Sequence, residues 1–281
     1  MSSLLAPPLW PREKKMLIGM IHVQALPGTP ANSLNMKDIV ARAQKEALIL
    51  EQVGFDMVCI ENMFDTPYLR RDVGPEIVAG MTAVCIGVSQ AVKIPFGIQI
   101  LAGANKAALA VGVATGAVFI RCEGMVFSTV ADEGIMDSDA GELLRYRRAI
   151  GGQNICIFAD IKKKHSSHSL TSDLSIEEVA KAAHFFRLDG VIVTGTSTGE
   201  PARPEEAVSV QKAVGSGGLK ILIGSRITPE NLKLYWESSD AFIIGTYIKE
   251  GGHWENPVDR SRSAQIVEES KRLIQSKNNM K

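Results

Sequence analysis

Cysteine is scarce in this sequence and has no metal-like spacing where it occurs. The four thiols, Cys59, Cys85, Cys122 and Cys156, stand in apolar strand or helix contexts. That scatter sets aside a cysteine-bound metal and suits buried, reduced thiols in a reducing compartment. Net charge is missing too. Lys and Arg number 31, and so do Asp and Glu, so no global field recommends nucleic acid or an anionic membrane as a partner. No apolar run is long enough to cross a bilayer. The longest, Ala107 to Ile120, falls short of the ~20 residues a span requires and is broken by a turn at Thr115-Gly116. Residues 1–15, with Pro7, Pro8 and Pro11, lack the apolar core of a secretory signal and the Arg-rich pattern of a transit peptide. They read as a flexible lead-in. A cytoplasmic location is expected, with only weak support for organellar targeting.

What the chain does contain is a steady alternation of apolar strands and amphipathic helices. Strands are predicted near 16–22, 56–61, 95–100, 117–122, 155–161, 190–194, 219–224 and 240–245. Helices are predicted near 37–53, 75–92, 105–114, 139–150, 175–187, 204–214, 229–237 and 262–275. Eight such units without a low-complexity linker predict one α/β domain over residues 16–281, a (β/α)8 TIM barrel. An open doubly wound sheet is the alternative. Thr228 before Pro229-Glu230, and Ser175 before Ile176-Glu177-Glu178, are helix N-caps and carry no function.

The phase of the strands is the most informative pattern. A strand alternates faces with period two. At the carboxyl ends the inward register places His22, Glu61, Gln99, Arg121 with Glu123, Asp160 with Lys162, and Thr194 with Thr196. So many polar groups at one end of a barrel predict an active site at its mouth. His22 and Glu61, ending neighbouring strands, are candidate acid and base, together with Asp160 and Lys162. Arg121 and Glu123 are expected to touch each other, and Asp160 to hold Lys162 charged. Arg121, Glu123, Gln99, Lys164, His165 and Thr194 are candidates for substrate contact.

Three glycine-bearing strand ends, Gly195-Thr196, Gly224-Ser225 and Gly245-Thr246, leave backbone amides free to face an anion. Their place after the last three strands predicts a phosphate site, with Gly195, Thr196, Gly224, Ser225, Gly245 and Thr246 as its lining. A divalent metal is possible but not favoured. The first strand lacks a His-x-His pair, and His165 stands where Asp-x-Lys decarboxylase barrels carry a further carboxylate. Segments 124–138 and 163–174 are long enough to act as lids. The His165-Ser166-Ser167-His168 run is read as solvated, despite its metal-like spacing.

The chain resembles the BtpA/SgcQ family. The resemblance is carried by Gly19-Met20-Ile21-His22 with Leu26-Pro27-Gly28, Glu61-Asn62-Met63 with Asp65 and Pro67, and Asp132-Glu133-Gly134. It continues through Arg145-Tyr146-Arg147, Lys164-His165-Ser166, Thr194-Gly195, Ile223-Gly224-Ser225, Glu230-Asn231 and Asn256-Pro257-Val258-Asp259 with Arg262. It implies a TIM-type barrel related to phosphate-binding barrels, but no settled reaction. One cyanobacterial member is associated with photosystem I biogenesis. Arg226 follows Gly-Ser where the family more usually has a small residue, so it would either add charge to a phosphate site or obstruct it. The expectation is an enzyme, a lyase, isomerase or hydrolase, acting on a small phosphorylated metabolite such as a sugar phosphate or nucleotide. The alternative is a non-catalytic assembly or stability factor. The expected partner is the phosphorylated ligand, without nucleic acid, with a homo-oligomer left open.

Overall fold

In a computed structural model, which describes residues 14–195, 201–215 and 218–279, the apolar runs form strands whose ends agree with the pattern to within two residues. The barrel strands are β1 (Met16–His22), β2 (Met57–Glu61), β3 (Phe96–Gln99), β4 (Phe119–Cys122), β7 (Cys156–Ile161), β9 (Gly190–Val193), β10 (Lys220–Ile223) and β11 (Ala241–Ile244). They close in the order β1-β11-β10-β9-β7-β4-β3-β2, and every pairing is parallel. Helices α1 (Met36–Val53), α2 (Pro75–Ala91), α3 (Asn105–Thr115), α4 (Ala140–Ala149), α5 (Ile176–Phe185), α6 (Pro204–Val214), α7 (Pro229–Tyr235) and α8 (Arg260–Asn278) alternate with them. Closure removes every sheet edge, and so wins over the open sheet.

The helix ends have ordinary causes. The Asn35 side chain accepts from the Asp38 amide at the start of α1, and Gly54, at φ 105°, ends that helix in the left-handed conformation a glycine adopts without strain. Ser175 and Glu178 satisfy each other's backbone amides at the start of α5.

Two apolar cores result from the period-two alternation. Residues such as Leu17, Ile21, Val58, Ile60, Ile98 and Ile120 face the helices. Met16, Ile18, Met20, Met57, Cys59, Phe119, Phe158, Ile192, Leu222 and Ile243 fill the barrel itself. Gly97 is required here: a β-carbon at that position would lie 2.2 Å from the Phe119 ring. The ring lies over Gly97 of β3 and meets Phe158 of β7, its other neighbouring strand, with centroids 5.4 Å apart. This packed floor leaves polar side chains only at the carboxyl ends.

The two long segments expected as separate lids join each other. Strands β5 (Thr129–Ala131) and β6 (Gly134–Met136) form a hairpin, and β8 (Ser166–Ser167), from the segment after β7, pairs with β5. The loops after β4 and β7 are thus one three-stranded antiparallel flap.

Candidate functional site

The register sets His22, Glu61 and Gln99 side by side at the ends of β1, β2 and β3. All three are buried. His22 Nδ1 lies 2.8 Å from the Trp254 carbonyl oxygen. A carbonyl only accepts, so Nδ1 carries the hydrogen and Nε2 keeps a bare lone pair. Burial, with Lys249 adding to it, pushes the imidazole pKa down to about 3, so the ring is neutral. Nε2 faces Glu61 Oε2 at 4.0 Å. Burial, partly offset by Arg121, pushes the Glu61 carboxyl up to about 7. Room above the pair comes from Gly245, where a β-carbon would stand 3.5 Å from His22 Nε2.

Across the mouth, Arg121 clasps Asp160 through Nε at 2.9 Å and Nη2 at 2.8 Å. Glu123 accepts from Gln99 Nε2 at 3.1 Å and from Lys163 Nζ at 2.7 Å. The expected contacts Arg121–Glu123 and Asp160–Lys162 are both replaced. Regular β geometry stops at Ile161, and Lys162 adopts φ 46°. Its ammonium turns under the flap segment to donate to the Thr171 carbonyl at 2.8 Å. Alternation cannot be extrapolated through a left-handed residue, and this is why the inward register fails there.

Lys164 takes the inward direction instead. Its amide donates to Thr194 Oγ1 at 3.4 Å, and no carboxylate among the described residues lies within ion-pair distance of its ammonium. Burial, reinforced by Arg121, lowers its pKa, while Asp160 and Glu61 act in the opposite sense. The His165 pKa is lowered by burial and by Lys164. His168 Nε2 meets the Lys163 carbonyl at 2.8 Å. Among the described residues no group of His, Cys, Asp and Glu forms a metal cage.

Of the expected phosphate loops, Gly195 and Ser225 are buried, Gly224 and Gly245 are half-buried, and Thr246 is exposed. Thr196 lies outside the described residues. A β-carbon on Gly224 would sit 2.6 Å from Ile192 Cγ2 and 3.7 Å from Arg121 Nη2, so the β10 end runs close above the guanidinium. Thr246 opens a single turn, Thr246–Ile248. Arg226 is exposed, and its charge reaches Lys164.

The sequence reading missed several groups. Lys163 falls within segment 163–174 and Glu133 within Asp132-Glu133-Gly134, and nothing in the pattern gives either a role. Trp254 holds the His22 tautomer and packs on Phe64, with centroids 5.0 Å apart. Lys249 is fully buried, with Nζ 2.7 Å from Glu46 Oε2. Beside His22 a cavity of about 290 Å³ is lined by Gln24, Arg42, Phe64 and Asn256. No strand periodicity marks these residues, because they lie in helices and in loops beyond the regular strands.

Comparison with known proteins agrees with this architecture. The model of the BtpA family matches residues 13–272. An uncharacterised mitochondrial protein of Caenorhabditis elegans is 47% identical over 262 residues, covering 90% of this chain and 92% of its own. The photosystem I biogenesis protein BtpA of Synechocystis is 29% identical over 261 residues, covering 93% and 90%. Among solved structures, orotidine 5'-phosphate decarboxylase from Pyrococcus horikoshii superposes with a TM-score of 0.56 at 14% identity, covering 91% of this chain and 99% of the decarboxylase. That likeness is one of fold. No helix among the described residues is long and apolar enough to cross a membrane.

Proposed function

The chain belongs to the BtpA family, and we propose that it is an enzyme acting on a small phosphorylated metabolite by acid–base chemistry at the barrel mouth. The observation that carries this reading is the His22–Glu61 pair. Two buried groups 4.0 Å apart have been pushed in opposite directions, the imidazole to about 3 and the carboxyl to about 7. Near neutral pH the imidazole stays neutral with Nε2 free to accept a hydrogen bond, while the carboxyl, with a pKa near the ambient pH, gives up and takes back its proton. Pairs whose environments separate their pKa values in this way suit proton transfer to and from one substrate.

In this proposal Lys164 and Arg121 supply positive charge toward the substrate, and Asp160 and Glu123 hold Arg121 and Lys163 in place. The anion is assigned to the ends of β10 and β11 at Gly224, Ser225, Gly245 and Thr246, beside Thr194 and Gly195. The fold neighbour acts, by its name, on orotidine 5'-phosphate, which supports a phosphorylated ligand. A reducing aqueous compartment suits the four free thiols, and the worm relative's name favours an organelle.

Thermal unfolding of the whole chain against sugar phosphates, nucleotides and inorganic phosphate, at matched ionic strength, tests the reading. A ligand at 100 times its Kd stabilises by about 2.7 kcal/mol, a shift of several degrees. No shift with any phosphate would overturn the anion assignment.

One observation favours a second reading, an assembly factor like the Synechocystis relative. Phe185 is 80% exposed beside Phe186, at the end of α5 that leads into β9, on the barrel face opposite the mouth. If Phe185→Ser abolishes the cellular role while His22→Asn leaves it intact, the assembly reading replaces the enzyme.

A further inference from the structure

Among the described residues, three buried side-chain atoms lack a hydrogen-bond partner: Gln99 Oε1, Glu133 Oε2 and Ser166 Oγ. All belong to the mouth or its flap. Gln99 is 2% exposed and stands in the same row as Glu61. Its amide cannot be turned over, because Nε2 donates to a Glu123 carboxylate oxygen that only accepts. Oε1 is therefore a fixed acceptor aimed into the mouth.

Glu133 and Ser166 both adjoin Ala131, which pairs with Gly134 on one side and Ser166 on the other. Glu133 acts electrostatically on Lys163 and Tyr68, and so does Glu123. The flap acceptor thus lies within electrostatic reach of Lys163, the partner of Glu123. Glu61 adds a further carboxyl, which faces the neutral His22 ring at 4.0 Å. Arg121 and Lys163 are engaged by Asp160 and Glu123, which leaves the Lys164 ammonium for the phosphate. The buried side-chain atoms left without a partner at the mouth and flap can all accept.

We propose that the mouth is built for a donor-rich ligand, a polyhydroxylated phosphate of the sugar phosphate type. Its hydroxyls donate to Gln99 Oε1 and Glu133 Oε2, and Ser166 Oγ completes the set at the flap. The proposal rests on the phosphate reading above and narrows it to polyols over flat, hydroxyl-poor phosphate esters. A site that hydrogen-bonds a hydroxyl rejects the analogue lacking it, because its own buried group is then left unpaired.

The test is calorimetric titration of the whole chain with ethyl phosphate, glycerol 3-phosphate, ribose 5-phosphate and 2-aminoethyl phosphate. Affinity should rise with hydroxyl number, with ethyl phosphate weaker than ribose 5-phosphate by at least about tenfold, the order of one net hydrogen bond. In Gln99→Met and Glu133→Ala the hydroxylated ligands should fall toward ethyl phosphate, while ethyl phosphate itself is unchanged. Glu133→Ala lies on the flap turn, away from the barrel core, and keeps the test usable if Gln99→Met misfolds. Equal binding of all the esters would overturn the polyol assignment and leave the phosphate site standing. Tightest binding of 2-aminoethyl phosphate would overturn it in favour of an ammonium donor. Failure of every ester, ethyl phosphate included, would overturn both readings.

Discussion

Arg121 and Asp160 form a two-pronged ion pair at 2.9 and 2.8 Å, with side chains only 9% and 4% exposed. The pair closes the inner wall of the mouth between β4 and β7. It explains why Asp160 is not available to Lys162. Removing one member of a buried pair leaves the other charged and unpaired, at a cost of about 3–5 kcal/mol. Asp160→Asn should lower stability by that order in chemical denaturation, and adding Arg121→Met should recover much of it. An Asp160→Asn protein as stable as the parent would show that the pair is not closed in solution.

The three consecutive lysines after β7 should behave differently. Lys162 donates to the Thr171 carbonyl, Lys163 to Glu123, and Lys164 remains at the mouth. Ligand affinity in Lys162→Met should stay within about threefold of the parent. Lys164→Met should lose at least about tenfold, the value of ~1.4 kcal/mol from one charge-assisted contact. The reverse order would restore Lys162 as the site lysine.

Stability should respond to pH in two opposed ways. Glu61 has a folded pKa of about 7 against an ordinary 4.5, so the unfolded chain gives up this proton first. Its contribution therefore falls as pH rises from about 4.5 to 7, by on the order of 3 kcal/mol. His22 has a folded pKa of about 3 against 6.5. The unfolded chain takes up that proton first, and stability falls as pH drops below 6.5. Urea denaturation at a series of pH values should show Glu61→Gln flattening the upper limb and His22→Asn the lower one. Unchanged slopes in either variant would remove that residue from the buried pair.

Two glycines at neighbouring strand ends should separate stability from binding. A β-carbon at Gly224 would meet Ile192 Cγ2 at 2.6 Å. Ile192 is β-branched and stiff, so Gly224→Ala should cost about 1–3 kcal/mol. At Gly245 the nearest atom would be Met20 Cγ at 3.4 Å, followed by His22 Nε2 at 3.5 Å, ordinary contacts. Gly245→Ala should melt within a few degrees of the parent yet weaken phosphate ester binding, because the methyl occupies space above His22. Unimpaired binding would remove Gly245 from the site.

The barrel was legible in the sequence because its cause is local. Apolar alternation in short strands, amphipathic helices and capping residues such as Ser175 each act within a few residues, and eight repetitions leave few topologies. The row of His22, Glu61 and Gln99 was legible for the same reason: strand phase decides which side chains face inward, and parallel pairing brings the strand ends level. Where the chain leaves regular β geometry the phase carries no information. The left-handed turn at Lys162 moved the inward lysine two residues on, and the joining of the segments after β4 and β7 into one flap depended on contacts between distant loops. Tertiary structure alone decided that Arg121 takes Asp160, that Lys163 takes Glu123, and that Trp254 leaves His22 Nε2 bare. Those choices follow from which buried charges and polar groups can be satisfied together, a condition that exists only once the barrel has closed.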